Sequence, residues 1–160
     1  MSCGATPRLR VLQRHLRSLE ASRVRLLPHH SPLPSLMAQG PSMEPTTSPL
    51  TTHVLDTASG VPAQGLCLRL SRLEDHGQLW TELRKSYTNP DGRCPGLMSP
   101  GQMKVGTYKL FFDTESYWRE RGLESFYPYV EIVFTITDET HKFHVPLLLS
   151  PWSYTTYRGS

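Results

Sequence analysis

From residue 50 to residue 158 the chain is cut into short runs of alternating apolar and polar residues, separated by turn formers. Alternation with a period of two is what a half-buried strand requires, because successive side chains point to opposite faces of a sheet. "LTTHVLD" (50–56) is followed by the turn "TASGVPAQG", and "LCLRLSRL" (66–73) alternates apolar with basic before "EDHG". "QLWTELRKSYT" (78–88) is a longer candidate, and "NPDGRCPG" (89–96) is dense in residues that favour turns. "GTYKLFFD" (106–113), "YVEIVFTIT" (129–137), "HKFHVPLLL" (141–149) and "SYTTYR" (153–158) complete the set. Seven such segments at this spacing predict an all-β fold, an antiparallel two-sheet sandwich. One run breaks the rhythm. "DTESYWRERG" (113–122) offers Asp113 as N-cap, Glu115 in the first turn and Gly122 as a stop, which predicts one short helix over about 114–121.

The first third of the chain is built differently. Seven of the 14 prolines fall in the first 50 residues, and residues 28–49 are mostly Pro, Ser and small polar groups with little to bury. That composition predicts a disordered linker, with the folded domain over 48–160 and a targeting peptide plus linker over 1–47. Residues 1–48 carry six arginines against Glu20 and Glu44, whereas the remainder carries 11 basic against 12 acidic side chains. The positive balance therefore belongs to the N-terminal segment, and no basic patch on the domain recommends nucleic acid as a partner. No apolar run approaches the roughly 20 residues that span a bilayer, so no membrane partner is expected.

Basic, acid-poor and Ser-containing, the first 27 residues resemble a targeting peptide. "RLRVLQRHL" (8–16) fits the pattern of a peroxisomal type 2 signal at its four fixed positions, Arg8, Leu9, His15 and Leu16. A peroxisomal import receptor is the partner this implies, with a mitochondrial transit peptide or a cytosolic location as the alternatives.

Cys3, Cys67 and Cys94 are far apart and form no CxxC pair, which argues against a disulfide scaffold or a zinc site. Cys67 reads as a small buried strand residue; Cys94 is harder to place.

Four residues of the domain stand out. His53 sits mid-strand, Arg93 in the turn "DGRC", His144 before an apolar run, and Arg158 in the last tetrapeptide. Each alone reads most simply as structural or solvated. Together, two imidazoles that titrate near neutrality and two permanent cations suit a planar, electron-rich, anionic substrate. Arg offers paired donors to urea-like or imide-like edges, and His can take a proton from water. No Ser or Cys nucleophile is evidently paired to a His, which favours direct attack by water. No phosphate-binding loop, metal-spaced cluster or cofactor motif is present, so neither metal nor cofactor is expected.

"SPLTTHVLDTASGVPAQGL" (48–66) resembles the N-terminal signature of the transthyretin-like family, and "HVPLLLSPWSYTTYRGS" (144–160) its C-terminal signature. The ending Tyr157-Arg158-Gly159-Ser160 resembles the mark of the family's 5-hydroxyisourate hydrolases, which hormone-carrying members lack. The resemblance implies a sandwich of about eight strands with one short helix, assembled as a homotetramer that is a dimer of dimers. It implies hydrolytic opening of the six-membered ring of 5-hydroxyisourate to 2-oxo-4-hydroxy-4-carboxy-5-ureidoimidazoline. By motif it places catalytic roles on His53, Arg93, His144 and Ser160, and substrate contacts on Arg93, Tyr157, Arg158, Gly159 and Ser160. It leaves open which histidine is the general base. The alternatives are a transthyretin-like carrier of small ligands, which would place apolar residues where these stand, and a β-sandwich adaptor.

Overall fold

A computed structural model describes residues 48–159 apart from 75 and 76. Arg8, Leu9, His15, Leu16, the linker and Ser160 lie outside the described residues. Among the described residues, eight strands and one helix follow in order: β1 (Leu50–Asp56), β2 (Val61–Pro62), β3 (Cys67–Leu73), β4 (Trp80–Tyr87), β5 (Gly106–Phe112), α1 (Thr114–Glu120), β6 (Val130–Ile136), β7 (Phe143–Ser150) and β8 (Ser153–Thr156). They form two four-stranded sheets, ordered β2-β1-β7-β8 and β4-β3-β5-β6.

Alternation sorts the side chains as the sequence predicts. On β1, Leu50, Thr52, Val54 and Asp56 are buried, while Thr51, His53 and Leu55 are half-buried on the other face. Tyr108, Leu110 and Phe112 of β5 do the same for the second sheet. Together with Leu68, Leu70, Leu147, Leu149 and Trp118 they make one continuous core between the sheets. Each large apolar side chain so buried is worth about 1.5–3 kcal/mol.

Helix α1 has the ends its sequence promises. The Asp113 carboxylate accepts from the Ser116 N–H at 3.2 Å. At the other end the Gly122 and Leu123 N–H groups donate to the Arg119 and Trp118 carbonyls, both at 3.0 Å, and Gly122 takes φ +70°. This is the left-handed stop that glycine supplies most cheaply.

Three features depart from the sequence reading. Val61–Pro62, within a stretch read as a turn, pairs with Leu55 and Asp56 as an eighth, two-residue strand. Two residues are too few to show a period. The sandwich is also not wholly antiparallel, because β1 and β7 run parallel, in register from Leu50 opposite Phe143 to Asp56 opposite Leu149. Alternation fixes which face a side chain takes but carries no information on strand direction, and no hairpin turn joins segments this far apart to betray it. Finally, Cys67 is only half-buried, and it is Cys94 that enters the core, 3% exposed.

Candidate active site

The parallel β1–β7 pair builds one face of the site. Thr51 lies opposite His144, and His53 opposite Pro146, so the two histidines stand on neighbouring strands two residues apart along the sheet. Both occupy half-buried positions. Pairing that joins residues 93 positions apart in sequence is what brings them to one surface.

Arg93 reaches His53 by way of a loop wound around Asn89. The Asn89 carboxamide oxygen accepts from the N–H groups of Asp91 (3.0 Å) and Arg93 (2.9 Å), while the Asn89 N–H donates to the Arg93 carbonyl at 2.8 Å. The turn is then tied to β1, because Val54 N–H donates to the Gly92 carbonyl at 2.8 Å and His53 and Arg93 form an antiparallel bridge. Gly92 has φ +69°, and a Cβ there would collide with the Val54 carbonyl oxygen. No other residue meets both demands, so this glycine sets the position of the arginine after it.

The tail returns to the same place. Gly159 N–H donates to the His144 carbonyl at 2.9 Å, and the two residues form a second bridge. A Cβ on Gly159 would lie 2.6 Å from Cδ2 of His144. The chain end therefore packs its backbone directly on the imidazole. Arg158, exposed, stands 5.8 Å from the centre of the Phe143 ring, a cation–π distance.

His144 lines two clefts. One, of about 350 Å³, holds Thr51, Arg93, Lys142 and His144. The other, of about 320 Å³, holds His144, Thr156, Tyr157 and Arg158 over a floor that includes Phe134 and Phe143. The imidazole thus has one arginine on each side. Burial, and after it the Arg93 charge, push the His144 pKa below the ordinary histidine value, against a weaker upward pull from a backbone hydrogen bond with Thr51. That direction favours the neutral ring, the form that can accept a proton.

Of the residues singled out from the sequence, His53, Arg93, His144, Arg158 and Gly159 are brought to this surface, and Tyr157, 55% exposed, stands beside it. Sequence reasoning passed over Thr51, whose Oγ1 lies 2.8 Å from Nδ1 of His144. Alternation places Thr51 on the same face as His53, but only the β1–β7 register shows what it touches. Among the described residues no group of three or more His, Cys, Asp or Glu side chains could hold a metal ion.

Comparison with known proteins agrees with this fold. The profile of the HIUase/Transthyretin family matches residues 50–159. A 5-hydroxyisourate hydrolase of Mus musculus is 80% identical over 118 residues, which are 74% of this chain and 100% of that protein. The 5-hydroxyisourate hydrolase of Deinococcus radiodurans is 43% identical over 115 residues, covering 69% of this chain and 95% of its own length. Among solved structures, transthyretin from Sparus aurata superposes with a TM-score of 0.67 at 34% identity, covering 70% of this chain and 97% of that one.

Proposed function

The chain belongs to the HIUase/Transthyretin family, and from that premise we infer that it hydrolyses 5-hydroxyisourate in urate degradation and propose how its side chains do so. The observation that carries the mechanism is the setting of His144, an imidazole held below its ordinary pKa, with Arg93 in the cleft on one side and Arg158 in the cleft on the other. His144 takes a proton from water, and the hydroxide adds to the ring carbonyl. Collapse of the tetrahedral adduct breaks the C–N bond, His144 returns the proton to the departing nitrogen, and the carboxylic acid left behind loses its own proton to solvent. Arg93 holds the anionic, urea-like edge of the substrate. Arg158 and the Ser160 hydroxyl stabilise the oxyanion that develops on the attacked carbonyl, and Tyr157 and Gly159 line its pocket. His53, bridged to Arg93, orients that side of the ligand.

The wider setting is proposed with it. The enzyme is a homotetramer, a dimer of dimers, whose channel closes the clefts over the substrate. Residues 1–47 are a targeting peptide and linker that deliver the domain to the peroxisome through an import receptor recognising Arg8, Leu9, His15 and Leu16.

A transthyretin-type carrier is the competing reading, since a neighbour in structure is sea bream transthyretin in complex with thyroxine, with a TM-score of 0.67 at 35% identity. Ultraviolet absorbance of freshly generated 5-hydroxyisourate separates the two. The wild type is expected to speed its decay, and His53→Ala and Arg93→Ala to lose most of that effect. A folded wild type that leaves the decay unchanged rules out the hydrolase and favours the carrier.

A further inference from the structure

Thr51 adds a device to the edge of the first cleft. Its Oγ1 is 2.8 Å from Nδ1 of His144 and 3.4 Å from the carbonyl oxygen of Phe143. A hydroxyl has one proton to give, and a peptide carbonyl can only accept. With the Thr51 proton directed at the Phe143 carbonyl, the hydroxyl oxygen is left to accept from Nδ1–H. The chain then runs in one direction, from Nδ1–H to Oγ1 and from Oγ1–H to the carbonyl.

The rest of the ring is equally constrained. The Gly159 backbone lies so close that a Cβ there would meet Cδ2 at 2.6 Å and Cγ at 3.1 Å. Nδ1 faces Thr51 and the Cγ–Cδ2 side faces Gly159, so the edge left for a ligand is Cε1–Nε2. For a general base on that edge, Nε2 must carry the lone pair, and that is the tautomer in which Nδ1 is protonated.

We propose that Thr51 is a positioning residue, which holds His144 with its proton on Nδ1 so that Nε2 is the atom that takes the proton from water. Its kinetic consequence rests on the hydrolase reading given above; the tautomer itself does not. The principle is that of an outer partner which orients a working imidazole through its second nitrogen. The neighbouring charged and titratable groups are Arg93 and Lys142 in the first cleft, Arg158 in the second, and His53 two residues along β1.

The test has two arms on the full-length protein. Nitrogen-15 spectra of His144 above neutral pH read the tautomer directly; the wild type is expected to show Nδ1 protonated and Nε2 bare. Thr51→Val removes the hydroxyl but keeps the shape of the side chain and the backbone hydrogen bond between residue 51 and the ring. It is expected to shift His144 toward the Nε2–H form and to lower kcat about tenfold with KM little changed, the size expected for one hydrogen bond. Thr51→Ser, which restores the hydroxyl, is expected to recover most of both. A bare Nδ1 in the wild type, or a folded Thr51→Val enzyme with wild-type kcat, overturns the proposal. Should Thr51→Val fail to fold, the wild-type and Thr51→Ser spectra still decide. A wild type that leaves the ring closed overturns the hydrolase reading instead, and the spectra then still decide the tautomer.

Discussion

Strand β1 carries polar groups at both ends, and they are treated in opposite ways. At its C-terminal end Asp56 is 3% exposed and fully engaged. Its Oδ1 accepts from the N–H groups of Ala58 and Ser59, both at 2.9 Å, and its Oδ2 from the Tyr117 hydroxyl at 3.1 Å. Arg121 lies 3.5 Å over the Tyr117 ring and donates to the carbonyls of Tyr117 and Gln64. Toward the other end, His53 and the His144 opposite Thr51 are half-buried, and the arginines beside them are exposed. The hollow beside Asp56 and Tyr117, about 500 Å³, is larger than either cleft at His144. Size alone would choose the Asp56 end. The polar groups around Asp56 satisfy one another and so tie helix α1 to the sheet. Those around His144 leave a basic nitrogen and two guanidinium groups facing a cleft, which is an arrangement that needs a ligand.

The sharpest way to break this contrast is to remove the imidazole. His144→Ala is expected to lower kcat/KM by roughly 10²–10⁴-fold, the range for loss of a general base. Because the ring is half-buried and the arginines beside it are exposed, Tm should move little. A variant that loses its fold along with its activity would make the two ends of β1 alike.

Arg93→Gln comes next, since it should cost binding of the anionic edge and also alter the base. In the wild type the Arg93 charge helps push the His144 pKa below its ordinary value. With that charge gone the pKa should rise, so His144 stays protonated to higher pH and the acid limb of the activity profile moves up in pH. Titration of the His144 ring by NMR in both proteins checks the direction. An unmoved titration would mean that burial alone sets the base.

Much of this was legible in the sequence, and what was not shares one cause. The strand runs "LTTHVLD" and "HKFHVPLLL" carry His53 and His144, and "NPDGR" announces a turn carrying a cation. The capping residues Asp113 and Gly122 bound the helix that forms. These are local signals. The parallel pairing of β1 with β7, the two-residue β2 and the Thr51–His144 contact depend on register between distant segments, which no local pattern encodes. Gly159 shows the difference well. Its place in the tail suggests a residue needed for a tight turn, yet it is not among the glycines with positive φ. What it supplies is the absence of a side chain where the backbone meets His144, a requirement visible only once the tail is folded back.

The smallest expected effect falls at the other end of β1. Burial first, and then the neighbouring Asp56 carboxylate, push the Tyr117 phenol up to about 12 from 10.0. A group whose folded pKa is raised contributes stability that is present below its unfolded pKa and is lost as pH climbs through the folded one. The Tyr117 contribution should therefore hold up to about pH 10 and vanish by about pH 12. Tyr117→Phe deletes the hydroxyl but keeps the ring under Arg121, and Asp56 retains its two backbone donors. The loss at pH 7 should be about 1 kcal/mol, the net worth of one such hydrogen bond. Denaturant melts from pH 7 to pH 12 should show the wild type's advantage shrinking over the last two pH units, with kcat/KM within about twofold throughout the neutral range. An enzyme that kept its stability but lost its turnover would place chemistry at Asp56, and the two ends of β1 would have to be read the other way round.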